Sequence, residues 1–253
     1  MDVVDLGLRS YGPVLELQRE LAAARIDGRL HQDVLLLVEH PPVVTLGRSA
    51  KDRHLLASPA LLATRGVERF EVERGGDVTF HGLGQLVGYP ILDLGGYRRD
   101  LHWYLRQVEE ALIRALATWG LEGARRDGYT GVWTTGRTGS DFMPSNGLQR
   151  PAGGPGESST GALRKIASIG VHAKQWVTWH GFALNVATDL AYFDLIIPCG
   201  IAGVEMTSVS NETGTRITVP DARTVVAGTF GDVFGVSLET VREAALLASI
   251  ASP

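Results

Sequence analysis

The 253-residue chain is predicted to fold as an α+β structure, a mixed β-sheet with helices packed on it. Two observations carry this expectation. Helical and strand-like segments do not alternate strictly along the chain, which argues against a doubly wound parallel sheet. Short β-prone runs ("TGVWTT", "KIASIGVHA", "QWVTWHGFALNV") instead follow one another between helical stretches. No repeat of roughly 20 to 50 residues is visible, which excludes a solenoid or propeller. With 44% hydrophobic and 21% charged residues the chain can bury a sizeable core, and a single domain spanning 1–253 is expected.

The first helix is read from "PVLELQRELAAARIDG". Pro13 suits a first turn, Val14, Leu17, Leu21 and Ala24 mark one face, and Gly28 suits the C-terminal cap. "DVLLLVEHPPVVTLG" reads as two strands parted at Pro41 and Pro42. Asp100 can cap a second helix whose stripe runs through Leu101, Leu105, Val108, Leu112, Ala115 and Trp119 to Gly120. Helices around "ARTVVAGTFGDVF" and "LETVREAALLASI" close the chain. Residues 135–163 are rich in Gly, Pro, Ser and Thr and poor in apolar side chains, which predicts an inserted, flexible surface loop.

Composition excludes several functions. A formal net charge of −4 supplies no field for nucleic acid. No segment approaches the ~20 apolar residues needed to cross a bilayer, and the N-terminus lacks the basic start and apolar run of a secretory signal. A single cysteine fits a reducing compartment, so a cytoplasmic protein is expected. Seven histidines without an H-E-x-x-H pattern, and one cysteine, predict no metal site; no cofactor is expected.

Three segments carry candidate chemistry. "ERGGDVTFHGLGQLVGYPILDL" interleaves glycines with Arg74, His81 and Gln85. It is neither a dinucleotide fingerprint nor a P-loop. It reads either as a tight hairpin with a structural histidine or as a wall where Arg74 and backbone N–H groups face an acyl or pantetheine-like group. In "RKIASIGVHAKQWVTWHGFALNV", Lys165 opens a β-prone run. Of 24 basic residues only Lys51, Lys165 and Lys174 are lysine, and only lysine can lose its proton at accessible pH. The third segment, "LIIPCGIAGVEMTS", holds Cys199 between Pro198 and Gly200. A free cysteine is commonly a small buried hydrophobe, but a nearby cation turns it into a nucleophilic thiolate. Gly200 could present a free N–H to a developing oxyanion. Lysine is one candidate partner; His81 and His180, each between an aromatic residue and a glycine, are rivals for a cysteine–histidine pair.

Together "RGGDVTFHGLGQLVGYPILDL", "DGYTGVW", "KIASIGV", "WVTWHGFALNV" and "IIPCGI…MTS", in this order, resemble the lipoyl(octanoyl) transferase family of lipoate biosynthesis. The resemblance implies a fold similar to the catalytic domain of biotin and lipoate protein ligases. It implies transfer of an octanoyl group from octanoyl-acyl carrier protein to a lysine of lipoyl domains, those of 2-oxoacid dehydrogenase complexes and the glycine cleavage H protein. By position, Cys199 would be the acyl-thioester nucleophile and Lys165 the residue that lowers its pKa. The substrate walls would be Arg74, Gly75, Gly76, Asp77, Val78, Thr79, Phe80 and His81, then Ser168, Ile169 and Gly170, then Gly181, Phe182 and Ala183. The family usually has proline where Leu83 stands, and its connection between Trp133 and Lys165 is usually shorter. The alternatives are an ATP-dependent lipoate or biotin ligase, which needs no cysteine, a thioesterase that releases free octanoate, and a non-catalytic module that binds acyl carrier protein.

Overall fold

A computed structural model describes residues 1–137 and 163–251. In chain order its elements are β1 (Asp2–Leu8), α1 (Tyr11–Ile26), β2 (Val34–Glu39), β3 (Val43–Leu46), α2 (Pro59–Thr64), β4 (Glu68–Glu71), β5 (Val78–His81), β6 (Gln85–Ile91), α3 (Leu101–Thr118), β7 (Leu121–Arg126), β8 (Tyr129–Arg137), β9 (Arg164–Lys174), β10 (Val177–Asn185), α4 (Val209–Thr213), α5 (Val219–Phe234), β11 (Glu239–Thr240) and α6 (Glu243–Ala251). Eight strands form a mixed sheet in the order β11-β1-β2-β6-β10-β9-β8-β7, and three form a second sheet, β4-β3-β5. This is the α+β arrangement expected from the lack of strict alternation.

The large sheet is covered on both faces, which explains the uninterrupted apolar run of β2. Leu35 and Leu37 join the core beneath α3 and α5, whereas Val34, Leu36 and Val38 face the core beneath α1 and α6. A third core fills the space beside the small sheet with Val78, Phe80, Phe193, Leu195 and Ile196. Among the described residues no helix is long and apolar enough to cross a membrane.

Several sequence expectations change in three dimensions. The two strands parted at Pro41–Pro42 form as expected, but β2 and β3 belong to different sheets. β5 and β6 are not a hairpin for the same reason. Asp100 caps α3 by accepting from the N–H groups of His102 and Trp103. The buried stripe of α3, however, is Tyr104, Val108, Ala111, Leu112, Ala115 and Leu116; Leu101 and Leu105 face a cleft described below. The last helix is shorter than its apolar pattern suggested, because Glu239–Thr240 pairs with β1 instead. Gln175 and Trp176 leave the strand pattern for left-handed backbone (φ 50° and 67°), a two-residue turn that joins β9 to β10 with the twist of its strands. Thr135 to Arg137 continue β8. The rest of the expected loop, 138–162, lies outside the described residues.

Close packing between β6 and β10 admits only glycine at Gly88, where a methyl group would strike the Phe182 ring. Gly228 in α5 faces open space. Gly88→Ala is therefore expected to destabilise the fold by about 1–3 kcal/mol, and Gly228→Ala to stabilise it by about 0.5–1 kcal/mol. Urea unfolding of both variants checks the pair of signs.

Candidate active site

β9 carries Lys165 into the interior, where the residue is 1% exposed. Its backbone is clamped by the segment after the cysteine: Lys165 N donates to Glu205 O (2.8 Å), and Thr207 N donates to Lys165 O (2.9 Å). Its side chain passes Gly131, where a methyl group would lie 3.0 Å from Lys165 Cε and 2.7 Å from Ala167 O. Buried Glu109 accepts the Gly131 N–H (3.1 Å) and holds that strand in place. The ammonium sits over the Trp133 ring, 4.9 Å from its centroid, and 3.5 Å from Thr130 O. It ends 3.0 Å from Cys199 Sγ.

Cys199 occupies a single 3-10 turn, Pro198–Gly200, in the left-handed region (φ 54°, ψ 20°). Such a backbone costs a non-glycine residue free energy and persists only where surrounding structure enforces it. Gly200 follows in the same region (φ 67°). The Gly200 N–H donates to Ile197 O (2.9 Å), so it is not the free oxyanion donor that the sequence suggested. Ser168 Oγ lies 3.7 Å from the sulfur. Burial of the sulfur opposes ionisation. The charge and hydrogen bond of Lys165, the Ser168 hydroxyl and the charge of Arg74 together outweigh it, so the thiol pKa lies below its ordinary value.

The two histidine rivals are occupied elsewhere. His81 Nδ1 is bonded to Gln85 Oε1 (2.8 Å), and burial pushes its pKa down to about 3. His180 lies beside Glu73 (Nε2 to Oε1 3.7 Å), its pKa lowered by burial. Both are neutral at pH 7, and neither is a hydrogen-bond partner of the sulfur among the described residues. His81 belongs to a polar chain that reaches the lysine strand: Gln85 Nε2 donates to Asn185 Oδ1 (2.9 Å), and Asn185 Nδ2 donates to Thr207 O (3.0 Å).

The Lys165–Cys199 pair lines one of two cavities that adjoin at Ile169 and Gly170. A cleft of about 340 Å³ is lined by Gly75, Gly76, Asp77, Leu101, Tyr129 and Ile201 around Lys165 and Cys199. Behind it runs a mainly apolar slot lined by Tyr11, Arg74, Thr79, His81, Ser168, Ile169, Gly170, Gly181, Phe182 and Ala183. Gly170 is required at the junction, since a methyl group there would lie 2.9 Å from Gly75 O. Most wall residues expected from the sequence therefore surround one site. Val78 and Phe80 do not. Strand alternation sends them to the third core, so they are corrected from wall to packing residues.

Arg74 is 7% exposed. Its guanidinium donates to Thr45 O (2.7 Å), Thr45 Oγ1 (2.9 Å) and Gly75 O (3.1 Å), and no carboxylate pairs with it among the described residues. One further polar residue, His54, is not among the residues that the sequence singles out, and it pairs with the expected wall residue Asp77. His54 Nδ1 is bonded to Asp77 Oδ2 (2.6 Å), and both pack on Gly200, where a methyl group would lie 2.6 Å from Asp77 Oδ2 and 3.1 Å from the imidazole. "DRH" in a polar loop carries no motif that could have singled out His54. Among the described residues no group of three or more His, Cys, Asp or Glu side chains converges as metal ligands.

Known proteins agree with this architecture. The chain is 45% identical over 237 residues to an octanoyltransferase of Gloeobacter violaceus, covering 94% of this chain and 91% of that protein. An octanoyltransferase of Acidobacterium capsulatum is 46% identical over 244 residues, covering 93% and 90%. The bipartite lipoate protein ligase of Thermoplasma acidophilum superposes with a TM-score of 0.70 at 14% identity, over 99% of this chain and 89% of that one. A lipoate-protein ligase A bound with ATP gives 0.67 at 15%, over 99% and 92%; at these identities the likeness concerns the fold. The lipoyl protein ligase A/B catalytic domain family matches residues 10–231, and the chain belongs to that family, alongside its octanoyltransferases.

Proposed function

We propose that this chain is an acyltransferase that moves an octanoyl group from octanoyl-acyl carrier protein to a lysine of lipoyl domains through a thioester on Cys199. The single observation that carries the mechanism is the 3.0 Å contact between Lys165 Nζ and Cys199 Sγ in a cleft that adjoins an apolar slot. The octanoyltransferase relatives support the substrate. Acceptors would be the lipoyl domains of 2-oxoacid dehydrogenase complexes and the glycine cleavage H protein, in the first step of lipoate biosynthesis.

The chemistry divides into two halves. Cys199 thiolate attacks the carbonyl of the donor thioester. The C–S bond to the pantetheine arm breaks, and the leaving thiolate takes a proton from the Lys165 ammonium. The acyl chain lies in the slot between Ser168–Gly170 and Gly181–Ala183. An acceptor amine then attacks the acyl-enzyme, the Cys199 thiolate departs, and Lys165 takes a proton from the nitrogen. Amide formation from a thioester runs downhill, so ATP is not required.

Intact-protein mass after mixing with octanoyl-acyl carrier protein, without ATP, is expected to show one octanoyl adduct. That adduct is absent from Cys199→Ala and is discharged by a lipoyl domain. No adduct, with activity only on adding ATP, would assign ligase chemistry instead. Lys165→Arg keeps the charge but cannot release the proton, and turnover is expected to fall ~10²–10⁴-fold; full turnover would remove Lys165 from proton transfer. Because the thiolate is the reactive form and its pKa is lowered mainly by Lys165, the alkylation rate of Cys199 should rise with pH through a midpoint below that of an ordinary thiol. In Lys165→Ala the midpoint should move up, and an unchanged midpoint would show that Lys165 does not set it.

A further inference from the structure

A lysine side chain has a pKa near ~10.4, so at pH 7 an acceptor lysine arrives as ammonium, with about one molecule in 2,500 already neutral. To become an amide nitrogen it must lose two protons. Lys165 accounts for one, the proton that restores its own ammonium beside the Cys199 thiolate. The other needs a second acceptor, and the incoming charge needs a partner. Once the acyl group neutralises the sulfur, the buried cation Arg74 stands close by without a carboxylate of its own. The cleft would repel an ammonium unless it held an anion.

Among the described residues Asp77 is the one carboxylate that lines this cleft. It is 8% exposed, as is His54. Its Oδ1 accepts the Val78 N–H (2.7 Å) and its Oδ2 is bonded to His54 Nδ1 (2.6 Å). The pair is fixed against the cysteine turn: Ile197 N donates to His54 O (2.7 Å), and Gly200 packs on both side chains. Charged groups facing the pair are Lys165 and Cys199 across the cleft, Arg74, and Arg53, whose Nε lies 3.4 Å from His54 Nε2. Exposed Lys51 and Asp52 belong to the same turn.

Resting on the acyl-transfer reading, we propose that Asp77, oriented by His54, binds the acceptor ammonium and takes its first proton. The N–H bond breaks, its electron pair stays on nitrogen, and the proton rests on the Asp77–His54 pair before passing to water. The neutral amine then attacks the acyl-enzyme, and Lys165 takes the second proton as the Cys199 thiolate leaves. Asp77 thus serves the second half-reaction and has no proton to move in the first. His54 is a positioning residue that acts through Asp77.

The test measures loading and discharge separately in His54→Gln and Asp77→Asn. Octanoyl-enzyme is formed from octanoyl-acyl carrier protein, then discharged at pH 7 either by a lipoyl domain or by hydroxylamine, an amine already neutral at that pH. Discharge to the lipoyl domain is expected to fall ~10²-fold, at least tenfold more than loading. The deficit should shrink toward pH 9.5, as the acceptor lysine deprotonates unaided, and be absent with hydroxylamine. Equal losses with both amines would show a distorted site, and wild-type discharge to the lipoyl domain would show an idle pair; either overturns the proposal. An unsubstituted protein that forms no octanoyl-enzyme would overturn the transfer reading and this one with it.

Discussion

A lysine side chain with 1% of its surface exposed must either find an anion or give up its proton, because an uncompensated buried charge costs several kcal/mol. Much of the site geometry follows from how Lys165 meets that demand. Gly131 leaves room for its methylenes, the Trp133 ring supplies a face for its charge, and the Cys199 sulfur completes the pair at 3.0 Å. The benefit is mutual, since the same contact lowers the thiol pKa against the opposing effect of burial. Backbone hydrogen bonds from Lys165 to Glu205 and Thr207 tie the strand of one partner to the loop that follows the other.

The cysteine itself stands on strained backbone, and the strain is held by contacts from three separate parts of the chain. The Pro198–Gly200 turn closes on Ile197 and Ile201, the His54 carbonyl anchors Ile197, and the Asp77–His54 pair fills the space beside Gly200. A left-handed cysteine followed by a left-handed glycine turns the sulfur toward Lys165 and Ser168. The rival histidines are instead buried neutral in the wall, and Gln85 and Asn185 link His81 to the lysine strand. The bonded chain from His81 through Gln85 and Asn185 to Thr207 gives the slot a stiff side.

Local patterns reported local structure well. Proline and glycine punctuation placed α1, the break between β2 and β3, and the Asp100 cap, because capping and turn formation depend on a few adjacent residues. The periodicity of α3 misled at one end: Leu101 and Leu105 are apolar and correctly spaced, yet they line the cleft. Hydrophobicity says that a side chain avoids water, not which apolar partner it meets. Val78 and Phe80 show the same limit in a strand, since a contiguous motif includes both faces and only sheet packing decides which face meets a ligand.

Cys199 and Lys165 were visible in the sequence because each is a chemically distinctive residue in a chain that otherwise avoids its type, and because five ordered motifs resemble one family. The sequence also determined the α+β class, through the order of its apolar periods. Their 3.0 Å meeting, the occupation of the Gly200 N–H and the pairing of His54 with Asp77 were decided only by tertiary structure. The first and last of these join residues tens of positions apart, Lys165 being placed by its pairing with Trp133 and Met206 and Asp77 by the small sheet, while the Gly200 N–H is taken by Ile197 within the cysteine turn. Pairing between distant strands is set by the summed burial of both sheet faces, a quantity that no single segment carries.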